Sequence, residues 1–83
     1  MYYEFRTHGV CARTIKLELE DGIIRSVEFD GGCAGNALGI SKLVEGMDAR
    51  LVADKFRGTR CGKRPTSCPD QLAQALDYAL RNP

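Results

Sequence analysis

The stretch Thr14 to Phe29, TIKLELEDGIIRSVEF, constrains the fold more than any other part of the chain. Ile15, Leu17 and Leu19 alternate with Lys16, Glu18 and Glu20, and beyond Asp21-Gly22 the residues Val27 and Phe29 alternate with Ser26 and Glu28. A period of two around an Asp-Gly pair is the signature of a half-buried β-hairpin. The register can be read further. A two-residue Asp21-Gly22 turn would set Lys16 opposite Val27 and Glu18 opposite Arg25, so that the apolar rows fall on opposite faces. A three-residue loop, Glu20-Asp21-Gly22 with Gly22 left-handed in a bulge, sets Leu19 by Ile23 and Ile15 by Val27, and that register is expected. Upstream, YYEFRT is aromatic and alternating enough for another strand, ending at His8-Gly9.

After Phe29 the pattern changes. DGGCAGN is rich in turn formers, and NALGISKLVEG places Leu38, Ile40, Leu43 and Val44 at helical spacing with Gly46 as the stop. Asp48 is an N-cap for ARLVADKFR, with Met47 and Val52 spaced as a hydrophobic staple and Gly58 as terminator. A last helix starts at Pro69 and runs through Leu72, Ala73, Leu76, Ala79 and Leu80. The order β-β-β-α-α-α predicts an α+β fold: one domain over residues 1–83, a small antiparallel three-stranded sheet, and helices packed on one face.

With 83 residues, 9.1 kDa and 43% apolar side chains, such a domain has a thin core, and domains of this size often need a staple. The net charge of +1 predicts neither a nucleic-acid footprint nor a membrane-seeking face. No apolar run approaches the ~20 residues of a membrane span. MYYEFRTHG lacks a signal-peptide layout, so the chain reads as cytosolic. Thiols stay mostly reduced there, which turns attention to Cys11, Cys33, Cys61 and Cys68 as ligands or redox groups rather than structural disulfides.

All four cysteines sit at element boundaries and none in an apolar stripe. A cysteine serving as a small hydrophobe usually lies inside an element. Ligands need loops that point at a shared centre, and flanking glycines let the backbone approach it. Four thiolates match a tetrahedral zinc site. Cys68, read as the N-cap of the last helix, would face the positive end of its dipole. Redox dithiols and unrelated thiols remain alternatives, because paired C-x-x-C knuckles are absent and the wide spacings need tertiary folding to converge.

The remaining motifs carry less. His8, the single histidine, could add an imidazole near Cys11, but a lone histidine at a strand end more often faces solvent. Gly31-Gly32-Cys33-Ala34-Gly35 fits neither the P-loop nor the dinucleotide fingerprint. The basic run Arg57, Arg60, Lys63 and Arg64 could hold a phosphate, and more often such a run is a solvated loop. Asp70 reads as support for the helix dipole.

Thr66-Ser67-Cys68-Pro69-Asp70 spells TSCPD, with GGCAGN upstream from Gly31 to Asn36, and on these residues the chain resembles a stand-alone TSCPD-domain protein. The same module occurs near the C-terminus of adenosylcobalamin-dependent, class II ribonucleotide reductases. The resemblance implies an association with deoxynucleotide synthesis, and a partner that is such a reductase or another protein. A chain of this kind can inherit the enzyme's name, ribonucleoside-diphosphate reductase, yet 83 residues leave no room for a radical-bearing barrel, a cobalamin site and a nucleotide site. An accessory role without catalysis of its own is the expectation, either electron relay by cysteines or metal binding. The chain is also similar to iron–sulfur scaffolds of the IscU/NifU type. Cys11 before the long strand, Cys33 after the hairpin and Cys68 at the last helix occupy the positions of the scaffold cysteines. Arg13 stands where that pattern has Asp, Ser67 where it has His, and Cys61 is additional. This implies that Cys61 replaces the histidine, giving a four-thiolate centre of Cys11, Cys33, Cys61 and Cys68 for zinc or an iron–sulfur cluster.

Overall fold

The computed structural model describes residues 1–7, 13–31, 34–59 and 66–82. Three strands, β1 (Tyr2–Arg6), β2 (Thr14–Glu20) and β3 (Ile23–Asp30), precede three helices, α1 (Ala34–Val44), α2 (Ala49–Phe56) and α3 (Cys68–Arg81). The sheet is antiparallel in the order β1-β2-β3, so the predicted α+β architecture holds.

The hairpin register differs from the expected one. Glu20 pairs with Ile23, which makes the turn the two residues Asp21 and Gly22, and both have positive φ, 55° and 78°. That is the primed turn whose twist matches the strands. The conflict it creates is resolved inside β3. Leu19 pairs with Ile24 while Glu18 pairs with Ser26, leaving Arg25 as the extra residue of a β-bulge. Past the bulge Leu17 meets Val27 and Ile15 meets Phe29, so both apolar rows share one face. The extra residue expected in the loop is thus found inside the strand.

On that face Ile15, Leu17, Leu19, Ile24 and Val27 are buried under Val44 of α1, Val52 of α2, and Leu72 and Leu76 of α3. Tyr3 and Phe5 of β1 pair with Leu17 and Ile15 and extend the same apolar surface. The opposite face is polar and carries a row of alternating sign, Glu4, Lys16 and Glu28, across the three strands. In α1, Ile40, Ser41 and Val44 turn inward, whereas the predicted apolar positions Leu38 and Leu43 are exposed.

Asp48 caps α2 as expected. Its Oδ1 accepts hydrogen bonds from the N–H groups of Arg50 and Leu51 at 2.8 and 3.1 Å. We expect Asp48→Ala to cost about 1 kcal/mol in urea unfolding, the usual worth of an N-cap. Asp48→Ser should recover most of that loss, and equal losses in the two variants would contradict the cap. The α1–α2 loop also seals part of β3: the Ile24 N–H donates to the Met47 carbonyl at 2.9 Å, and the Gly46 N–H to the Ile24 carbonyl at 2.7 Å.

The fold has two ends. At the hairpin-turn end lie Asp21-Gly22, the α1–α2 loop and the C-terminal part of α3, where the Tyr3 hydroxyl donates to the Asn82 carbonyl at 2.8 Å. At the far end β1 finishes, β2 begins and β3 finishes.

Candidate functional site

Ser67, rather than Cys68, is the N-cap of α3. Its φ and ψ are −151° and 172°, and its Oγ accepts from the Asp70 N–H at 3.1 Å. Serine wins the position because its short side-chain oxygen can satisfy a donor of the first turn. Cys68 becomes the first helical residue and Pro69 the second, one place later than predicted. Cys68 is half-buried and carries a free thiol. It stands at the N-terminal, positive end of the α3 dipole.

Around Cys68 the polar residues of the motif form a closed network. The Ser67 hydroxyl donates to the Thr59 carbonyl at 2.7 Å. One oxygen of Asp70 accepts from the Gly58 N–H at 2.7 Å, and the other accepts from the Thr66 hydroxyl and from Gln74 Nε2 at 3.2 Å. Gln71 Nε2 donates in turn to Thr66 Oγ1 at 2.9 Å. Thr66, Ser67, Asp70 and Gln71 are all buried. Burial pushes the Asp70 carboxyl up, but hydrogen bonds from Thr66, Gly58 and Gln74 outweigh it and hold the group below the ordinary carboxylate range. Asp70 is therefore more than support for a dipole. The spacing Ser67-x-x-Asp70 resembles a capping box and was the available sequence signal.

Cys11, Cys33, Cys61 and His8 lie outside the described residues, as do Arg60, Lys63 and Arg64. Among the described residues there is no group of three or more His, Cys, Asp or Glu side chains that could hold a metal ion. The chain flanking the three other cysteines is described. Residues 7 and 13, on either side of Cys11, are joined by a bond from the Thr7 N–H to the Arg13 carbonyl at 3.0 Å. The Arg13 N–H donates to the carbonyl of Asp30, shortly before Cys33, at 2.8 Å. Gly58, Thr59 and Thr66, on either side of Cys61, are bound to the first turn of α3. α3 ends at the hairpin-turn end, so its start is directed toward the far end, about 20 Å away at 1.5 Å per residue. The Cys11 connection thus leaves and rejoins the sheet at the far end, the Cys33 connection leaves it there, and the Cys61 connection leaves and rejoins the fold at the first turn of α3, whereas the cysteine-free turns lie at the hairpin-turn end.

Arg57 is not available to a phosphate. Its Nε and Nη2 grip Asp77 on α3 at 2.8 to 3.1 Å, and its Nη1 donates to Asp54 at 3.0 Å. Among the described residues no helix is long and apolar enough to cross a membrane.

These features define a small α+β domain that presents a helix-starting cysteine from a buried polar knot. The family model for the TSCPD domain matches residues 2–80, and the chain belongs to that family. No curated protein and no solved structure matches it, and the expected likeness to iron–sulfur scaffolds finds no support in these comparisons.

Proposed function

We propose that this chain is a metal-binding accessory module, with the thiolates of Cys11, Cys33, Cys61 and Cys68 as ligands, zinc as the ion, and a ribonucleotide reductase or another protein of deoxynucleotide synthesis as partner. The observations that support the ligand set are that the segments before and after Cys11 and before Cys33 are bonded together, that those around Cys61 are bonded to the first turn of α3 where Cys68 stands, and that α3 starts away from the hairpin-turn end. A soft thiolate such as Cys68 suits zinc, and an iron–sulfur cluster is the other group that four thiolates hold. Bound there, the ion would cross-link the connections that carry the four cysteines, and so add to folding stability. No catalytic step is assigned to the chain alone.

Metal analysis with an absorption spectrum, on anaerobically purified protein, tests this. We expect about one zinc per chain with a silent visible spectrum, falling to well under half in each of the four Cys→Ser variants. A coloured protein containing iron would move the assignment to a cluster. A protein with no metal and four freely titrating thiols would refute it. A redox dithiol of Cys61 and Cys68 is favoured only if reversible cycling with thioredoxin-like reductants survives loss of Cys11 and Cys33.

A further inference from the structure

The geometry points to Asp70 as a positioning residue: its carboxylate is a latch that ties both ends of the connection carrying Cys61, at Gly58 and at Thr66, to the first turn of α3 beside Cys68. Neither simpler role accounts for its placement. Capping is already performed by Ser67, which takes the Asp70 N–H. A dipole role asks only for a negative charge near the helix start, and such a charge is cheapest left in water. Asp70 is instead 7% exposed. A carboxylate is buried at that cost only where its oxygens are matched by donors, and here two of the three donors come from opposite ends of one connection, the third being Gln74 of α3 itself.

The far ends of the latch are themselves fixed. Gly58 has φ of +85°, a left-handed turn after α2 that aims its N–H at Asp70, and an added side chain there would be strained by the backbone conformation. Thr66 accepts from Gln71 with the same oxygen that donates to Asp70, so its hydroxyl proton is directed at the carboxylate. The connection therefore enters and leaves the fold against one side chain, two residues from Cys68. The consequence for metal affinity rests on the four-thiolate reading above, whereas the latch itself does not.

The test uses the full chain and the variants Asp70→Asn, Thr66→Val and Thr66→Ser. Trypsin under native conditions reports cleavage after Arg60 and Lys63, inside the connection, against cleavage after Lys16 and Arg25 in the sheet. We expect Asp70→Asn and Thr66→Val to speed the first two cleavages about tenfold more than they speed the sheet sites, with Thr66→Ser at the wild-type rate. Cobalt(II) titration should show affinity weakened about tenfold in Asp70→Asn, with unchanged thiolate-to-cobalt absorption per bound ion. Equal acceleration at all four sites, or none at Arg60 and Lys63, overturns the latch. A wild-type chain that binds no cobalt but keeps the selective cleavage response supports the latch while refuting the metal reading.

Discussion

Leu76→Ala should remove about 2–5 kcal/mol of stability, the range for emptying a fully buried leucine site. Leu76 is fully buried in the middle of α3, in the cluster that also holds Ile15, Leu17 and Ile24 of the sheet. Truncation loses the transfer energy of the removed carbons and leaves a void that the surrounding β-branched and leucine side chains fill only in part. Domains of this size have net stabilities of roughly 0.1 kcal/mol per residue. The variant should therefore lose a large share of its total, seen as a midpoint lowered by more than about 10 °C in thermal unfolding. Leu43→Ala is the control. Leu43 is 69% exposed on α1, and its truncation should stay within about 0.5 kcal/mol of wild type. Similar losses in both variants would mean that the core is not where the fold places it.

Acid should destabilise the protein through Asp70. Three hydrogen bonds favour its charged form in the folded chain, and none of them exists in the unfolded one. Its folded carboxyl thus titrates below the ordinary value near ~4. A group shifted in that direction contributes stability that is fully present above the unfolded value and is lost as pH falls through the folded one. Urea unfolding between about pH 5 and 2 should accordingly show stability declining with acid. In Asp70→Asn the decline should be shallower, because the amide cannot titrate, while stability at neutral pH is lower by about 2–4 kcal/mol from the weakened bonds to Gly58 and Thr66. Parallel pH curves for the two proteins would show that Asp70 is not the group responsible.

The contrast between these two residues shows what was legible in the sequence. Leu76 could be placed in the core from spacing alone, since burial follows the helical repeat of Leu72, Ala73, Leu76 and Ala79. Asp48 and Gly58 were legible for the same reason, because each acts on backbone within a few residues. The role of Asp70 was legible only in its local half, because Thr66 lies within a turn of it whereas Gly58 is brought by a tertiary approach of the α2 end to the α3 start. The hairpin lay between these cases. Its turn chemistry and its apolar pattern gave conflicting registers, and the bulge at Arg25 satisfied both, a solution that local rules permit but do not select. For the candidate site, the boundary placement of the cysteines was readable. The polarity of α2 and α3, which brings their connections to one end, emerges from packing.

The loop between α1 and α2 has a consequence for how copies of this chain meet. β3 is an outer strand, and outer strands can template pairing with another chain through unused backbone groups. At its start, Ile24 has already given its N–H to Met47 and taken that of Gly46, and the Ala49 N–H holds the carbonyl of Gly22 just before it. A strand arriving there finds neither donor nor acceptor. The loop acts as a guard rail that closes this corner of the sheet to amyloid-like stacking, so any edge-to-edge growth of the protein has to begin elsewhere.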